Sequence, residues 1–271
     1  MPSTALGWLD FLVPKDPSSR RIARDLRFGP DSRHVLDLYA PRQPRGPLPL
    51  CVFVHGGGWD SGDRREYGFA GRALAALGFL VACADYRVFP EVVFPGFVKD
   101  LALAATWLVS HAADYGGDPD RVILAGHSAG AYNAMMVALQ PERFGAGGLK
   151  GRIKGLIGLS GPYDFYPYDV KQSIDAFGTF SDPPSTQPIN LVTPDAPPML
   201  LAHGVRDTTV GDYHTVRLAA KLRENGVPVI ERHYTRLMHA PVVLGLTKLL
   251  RPLLPVYGDV RNFLLSRRNA G

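Results

Sequence analysis

The chain has 271 residues, 46% of them hydrophobic, and a formal net charge of +5 at pH 7. This length suits one large α/β domain, residues 1–271, with an ordinary packed core. No apolar run reaches the roughly 18 residues that a transmembrane helix needs, so we predict no membrane partner. The basic residues are dispersed without any nucleic-acid-binding module, which predicts a solvated surface and no nucleic-acid partner.

The N-terminal segment and the two cysteines give no sign of export. Residues 1–24 contain a short apolar patch, but they lack the basic start and the small-residue cleavage site of a signal peptide. We therefore expect a cytoplasmic location. Cys51 and Cys83 each lie inside a predicted buried strand, where a free thiol behaves as a small hydrophobe. They predict neither a disulfide framework nor a metal site.

Apolar runs that predict strands alternate along the chain with helical patterns. The predicted strands are 23–29, 34–39, 50–54, 79–84, 122–125, 153–159, 199–202 and 229–234. The predicted helices are 67–77, 97–113, 129–139, 213–225 and 256–266. The first two strands form an opening hairpin. The alternation after them predicts an α/β fold, with a mostly parallel sheet covered by helices on both faces.

Two long segments interrupt the alternation. Residues 162–198, rich in Pro, Asp, Tyr and Phe, connect two strands by an irregular path, and residues 240–255 precede the closing helix. Loops of this length in a compact domain usually serve as lids or walls of a site. We predict that 162–198 is a lid or wall insertion, and residues 1–22 are a candidate cover for the site.

A serine stands where a predicted strand turns sharply into a helix, in Gly126-His127-Ser128-Ala129-Gly130. In a sheet of this kind, ligand sites lie beyond the carboxyl ends of the strands. The flanking glycines keep side chains out of the bend, and the start of the helix favours developing negative charge. Ser128 is therefore the predicted nucleophile of an acyl transfer, and the alternative is a serine that only caps the helix.

A triglycine follows another strand, in His55-Gly56-Gly57-Gly58-Trp59. Acyl transfer needs backbone N–H groups that are free to bind an oxyanion. We predict that the oxyanion hole consists of the N–H groups of Gly57, Gly58 and Ala129. Taken alone, the triglycine could equally be a flexible turn.

The base must be one of eight histidines. If the chain order is Ser, acid, His, then it follows the last predicted strand. His239 lies in a short loop after that strand, where an imidazole can reach Ser128, whereas His233 lies within the strand. We predict His239 as the base and keep His233 as its alternative.

Two aspartates follow strand ends and could orient the base. Asp207 lies in the turn after the strand 199–202, and Asp164 follows the strand 153–159. A carboxylate at either place could fix the tautomer of the histidine and stabilise its imidazolium. We predict Asp207 from its position, while a helix N-cap role for Asp207 and a catalytic role for Asp164 stay open.

With these residues placed, the chain resembles an α/β-hydrolase of the carboxylesterase group over nearly its whole length. The branch contains hormone-sensitive-lipase-type esterases, small feruloyl-esterase-like carboxylesterases and kynurenine formamidases. The stretches Asp85-Tyr86-Arg87 and 117–122 are similar to stretches of those esterases. His127 stands where hormone-sensitive-lipase-type enzymes usually have Asp, and the N-terminal segment is too short for their larger cap. The resemblance thus favours the small esterase or formamidase branch.

That resemblance implies a serine hydrolase acting on carboxylic esters with short acyl or small aromatic groups, without a metal or a cofactor. Aromatic residues near the motifs are the candidate walls of a compact cleft: Trp59, Tyr86, Tyr163 and Phe165. Each of these rings could instead serve only local packing. The alternatives are an arylformamidase acting on the amide of N-formylkynurenine and a non-catalytic binding module. A homodimer stays open, without a sequence signal for it.

Overall fold

The computed structural model describes residues 5–268, and its eight strands form one sheet. The strands are β1 (Ser19–Arg27), β2 (Val35–Pro41), β3 (Leu48–Val54), β4 (Leu80–Ala84), β5 (Gly117–His127), β6 (Ile153–Leu159), β7 (Met199–Gly204) and β8 (Val229–Tyr234). Their order across the sheet is β1-β2-β4-β3-β5-β6-β7-β8. β1 pairs with β2 and β2 with β4 in antiparallel fashion, and every later pair is parallel.

Helices connect the strands and cover the sheet. They are α1 (Ala5–Leu12), α2 (Gly68–Ala75), α3 (Gly96–Ser110), α4 (Ala129–Leu139), α5 (Lys171–Phe177), α6 (Tyr213–Glu224), α7 (His239–Leu244) and α8 (Val256–Arg268). Among residues 5–268, no helix combines the length and the apolar character that crossing a membrane would require.

The apolar core has two layers because alternate residues of a strand point to opposite faces of the sheet. In β3, Leu50 and Val52 belong to a cluster that also holds the buried sides of α3, α4 and α6. Cys51 and Phe53 belong to a second cluster with α2, α7 and α8. Helices therefore bury both faces, as the sequence pattern predicts for a mostly parallel sheet.

The central strands and the main helices lie where the sequence predicts them, and three short helices are additional. α1 lies in the predicted N-terminal cover, of which residues 1–4 fall outside the described part. α5 and two 3-10 helices (Pro183–Thr186 and Pro188–Leu191) lie inside 162–198, which is thus less irregular than predicted. α7 begins at His239, so this residue opens a helix instead of lying in a loop. Pro241 hides the helix from sequence reasoning, although a proline in the first turn forfeits no helical hydrogen bond.

Candidate active site

Ser128 joins the end of β5 to the start of α4 in an unusual backbone conformation. Its φ is 55° and its ψ is −125°, which an L-residue adopts only when the surrounding structure holds it there. Its N–H donates to Leu159 O at 2.8 Å, and its C=O accepts the N–H of Ala131 at 2.9 Å. The hydroxyl therefore stands at the carboxyl edge of the sheet, beside the N–H groups that open α4.

The glycine loop after β3 lies directly against this turn. A Cβ on Gly56 would lie 3.0 Å from Ser128 Cβ, and one on Gly130 would overlap the carbonyl oxygen of His55. Gly57 has a φ of +131°, which few residues other than glycine adopt. Within residues 5–268, the N–H groups of Gly57 and Gly58 have no hydrogen-bond acceptor. The loop thus presents unsatisfied donors close to the Ser128 side chain.

A histidine and an aspartate meet at the same edge of the sheet. His239 Nδ1 lies 2.6 Å from Asp207 Oδ2, while Asp207 Oδ1 accepts the backbone N–H groups of Thr209 and Val210, each at 2.9 Å. His203 Nε2 is 3.2 Å from the same Oδ2. Burial alone would raise the pKa of Asp207, but hydrogen bonds from His203, His239 and Val210 hold it well below its ordinary value. Asp207 is therefore an anion poised to orient an imidazole.

The alternative acid and base have other partners. Asp164 Oδ2 accepts Arg217 Nη1 at 2.7 Å, and the backbone N–H of Asp164 faces His214 Nδ1 at 3.1 Å. His233 Nε2 lies 2.8 Å from Glu231 Oε1. The structure thus brings Asp207 and His239 together and pairs Asp164 and His233 elsewhere.

The predicted wall residues differ in what they contact. Trp59 is 5% exposed, and its Nε1 donates to Asn133 Oδ1 at 3.2 Å. Phe165 is half-buried and stacks on Trp59, with ring centroids 5.8 Å apart. Tyr86 and Tyr163 are fully buried, and the Tyr86 ring stacks on His55. Trp59 and Phe165 therefore belong to an aromatic cluster next to the loop, while Tyr86 supports the loop from beneath.

An ionic network around the buried Arg64 lies behind the glycine loop. The Arg64 guanidinium, 4% exposed, binds Asp85 and Asp25, and its Nε lies 3.1 Å from Asp37 Oδ1. The backbone N–H of Arg64 donates to Asp85 Oδ1 at 2.6 Å, and the same oxygen is 3.3 Å from His55 Nε2. Because His55 begins the loop, this network fixes where the loop leaves the sheet.

Sequence reasoning missed His203 as a supporting residue of the site. His203 is fully buried, and its Nδ1 lies 2.9 Å from Thr215 Oγ1. No motif marks it, because its role depends on the spatial neighbour Asp207.

Among residues 5–268, no three His, Cys, Asp or Glu side chains are grouped as metal ligands. A cavity of about 590 Å³ between α1, β1 and α2 has none of the predicted site residues in its lining.

Comparisons with known proteins agree with this architecture. A family model described as BD-FAE matches residues 36–222. The probable isoprenylcysteine alpha-carbonyl methylesterase ICMEL1 of Arabidopsis thaliana is 31% identical over 228 residues, which are 76% of this chain and 48% of the relative. Esterase LipC of Mycobacterium tuberculosis (strain ATCC 25618 / H37Rv) is 30% identical over 210 residues, 69% of this chain and 51% of LipC. The chain thus spans about half the length of these curated relatives.

Solved structures share the fold at low sequence identity. Esterase B from Lactobacillus rhamnosis (HN001) superposes with a TM-score of 0.83 at 21% identity, covering 98% of this chain and 90% of that chain. A truncated carbohydrate esterase from gut microbiota superposes with a TM-score of 0.78 at 18% identity, covering 94% and 99%. These likenesses confirm the α/β-hydrolase fold that the sequence predicts.

Proposed function

The chain belongs to the BD-FAE family, and on that premise we propose that it is a carboxylesterase-type serine hydrolase with the triad Ser128, His239 and Asp207. The observation that carries this proposal is the close pair of His239 and Asp207 at the sheet edge where Ser128 turns into α4. The names of these relatives, methylesterase and esterase, point to the same reaction.

The proposed reaction follows from the roles of these atoms. Ser128 Oγ attacks the ester carbonyl while His239 Nε2 accepts its proton, and Asp207 stabilises the imidazolium that forms. The N–H groups of Gly57, Gly58 and Ala129 bind the developing oxyanion. His239 then protonates the leaving alcohol, and water attacks the acyl-enzyme by the same steps in reverse. Neither a metal nor a cofactor takes part.

We propose a short acyl group or a small aromatic group for the substrate. Trp59, held by Asn133 and stacked on Phe165, occupies the space beside the glycine loop. Its ring also meets the Phe177 ring of α5 edge-on, with centroids 4.8 Å apart. An acyl chain bound next to this cluster would therefore meet rings after a few carbons. The segment 162–198, which supplies Phe165 and Phe177, is the proposed wall.

The test is hydrolysis of p-nitrophenyl acetate, butyrate and octanoate by the wild type and by Ser128→Ala, with N-formylkynurenine alongside. We expect turnover of the two shorter esters, weaker turnover of octanoate, and no turnover above background with Ser128→Ala. Faster turnover of N-formylkynurenine than of the esters would change the proposed function from esterase to formamidase. Tight ester binding without turnover dependent on Ser128 would refute the catalytic function altogether.

A further inference from the structure

One tyrosine hydroxyl touches both glycine motifs. Tyr67 ends the 3-10 helix Arg64–Tyr67 and is 4% exposed. Its hydroxyl oxygen lies 3.2 Å from the backbone nitrogen of Gly56 and 3.1 Å from Nδ1 of His127. Gly56 precedes the proposed oxyanion donor Gly57, and His127 precedes Ser128. A single O–H group therefore connects the two segments that must meet at the reacting carbonyl.

The directions of these two hydrogen bonds follow from proton counting. The Gly56 N–H can only donate, so the Tyr67 oxygen accepts from it. The phenol has one proton, and His127 Nδ1 is its acceptor. Burial lowers the pKa of His127 to about 3, so the imidazole is neutral at pH 7. We assign its single proton to Nε2, because Nδ1 then accepts the phenol proton, which has no other acceptor among the described residues. Burial likewise raises the pKa of Tyr67, which keeps the phenol protonated. The bonds thus run from Gly56 N–H to Tyr67 O–H and on to His127.

We propose that Tyr67 is a positioning residue of the esterase, which holds the oxyanion loop in register with the nucleophile through this chain of hydrogen bonds. The inference rests on the function proposed above. Donors of an oxyanion hole stabilise the transition state only when they are fixed before the charge develops. The Gly56 backbone N–H is held by Tyr67, and the Gly56 carbonyl oxygen lies 2.7 Å from His55 Nδ1. Because the peptide group is planar, holding that carbonyl also orients the N–H of Gly57.

The neutral His127 ring has a second consequence for the base. It lies 4.8 Å from the His239 ring, measured between centroids. An imidazolium forms on His239 during the reaction, and a positive charge on His127 would oppose it. The O–H of Tyr67 donates a hydrogen bond to the lone pair of His127 Nδ1, which together with burial favours the uncharged form of this neighbour. Tyr67 thereby affects the transition state more than the bound ester.

The experiment compares Tyr67→Phe with Tyr234→Phe. Tyr234 is also buried, and its hydroxyl donates to Asp259 Oδ2 at 2.9 Å, so the control deletes the same atom from a bond that involves neither glycine motif. We expect kcat for p-nitrophenyl butyrate to fall about tenfold in Tyr67→Phe with KM within about twofold, the pattern of an interaction made in the transition state. Affinity for a boronic acid, which forms a tetrahedral adduct with Ser128, should fall in proportion. Tyr234→Phe should keep both values.

A second variant tests the same hydrogen bond from its other end. His127→Leu removes the acceptor of the Tyr67 proton, and the double variant with Tyr67→Phe should be no slower than the slower single variant. If Tyr67→Phe folds poorly, His127→Leu alone breaks the same hydrogen bond and should lower kcat in the same way, with KM little changed. Three outcomes would overturn the positioning role while leaving the esterase function intact. They are kcat losses of the two single variants that multiply in the double variant, a rise in KM alone in Tyr67→Phe, and equal kcat values for Tyr67→Phe and Tyr234→Phe. Failure of the wild type to hydrolyse any ester through Ser128 would overturn the proposed function, and this inference with it.

Discussion

Replacing Asp207 by asparagine changes one atom of the proposed triad and should nearly abolish turnover. Oδ1 of Asp207 accepts two backbone N–H groups, from Thr209 and Val210. An asparagine must place its carbonyl oxygen there, because its NH₂ group cannot accept. The NH₂ group then faces His239 Nδ1 in place of Oδ2, which is 2.6 Å away in the wild type. His239 Nδ1 must accept, so its proton moves to Nε2, where it blocks proton transfer from Ser128.

The size of this effect follows from the role of the tautomer. In the serine-protease triad, the same substitution lowers kcat by about 10⁴ while leaving the geometry intact. Each factor of ten is about 1.4 kcal/mol, so a loss of 10³ to 10⁴ corresponds to about 4–5.5 kcal/mol of transition-state stabilisation. We expect a loss in that range for Asp207→Asn, with KM little changed.

The assay is steady-state hydrolysis of p-nitrophenyl butyrate, with Asp164→Asn as the matched control. Asp164 is the alternative acid, and its carboxylate pairs with the exposed side chain of Arg217. Losing such a surface pair costs about 0–1 kcal/mol of stability, and we expect kcat to stay within about twofold. A loss below about tenfold in Asp207→Asn, or a larger loss in Asp164→Asn, would refute this assignment of the acid.

Two further predictions concern the aromatic wall and the dependence of stability on pH. Trp59→Ala should lower the free energy of unfolding by about 3–5 kcal/mol, because it empties the space among Asn133, Phe165 and Phe177. It should also raise the octanoate-to-butyrate rate ratio, and an unchanged ratio would argue against Trp59 as the limit on acyl length. Burial lowers the pKa of His127 to about 3 and that of His214 to about 4, from the ordinary 6.5. The folded protein therefore binds fewer protons than the unfolded chain between these values, so stability is full above pH 6.5 and falls as the pH drops toward 4. Urea unfolding at pH 7, 5.5 and 4.5 should show a loss of about 2–3 kcal/mol per pH unit below pH 6, about half of it from each histidine, and His214→Gln should reduce that slope. A slope that His214→Gln leaves unchanged would contradict this origin.

The sheet and the pair of glycine motifs could be predicted because their signals are local. β6, α4 and β8 have the predicted bounds. Each of these predictions depends only on the pattern of residues within the segment and on the turn residues that flank it. The motif that contains Ser128 could be identified for the same reason, because its residues are consecutive in the chain. The backbone near φ 55° requires glycines on either side, and these stand in the sequence.

The supporting contacts of the site could not be predicted because they join residues that are distant in the chain. Tyr67 and His127 are 60 residues apart, and Arg64 and Asp37 are 27 apart. Position after a strand end favours Asp207 over Asp164, and the 2.6 Å distance from Asp207 Oδ2 to His239 Nδ1 shows which carboxylate meets the imidazole. α7 was missed because it is short and has Pro241 in its first turn. The helix begins at His239 and so positions this residue.

The ionic network around Arg64 connects the edge strands of the sheet to the glycine loop. Asp25 and Asp37 belong to the antiparallel strands β1 and β2, whereas Asp85 follows β4 and faces His55. Edge strands are usually where native proteins open first, and amide hydrogen exchange detects such openings. Here, fraying of β1 would withdraw the Asp25 carboxylate from Arg64 and so loosen the support of the glycine loop. Catalytic competence should then decline with the protection of the β1 amides, at denaturant concentrations where the rest of the sheet is still closed.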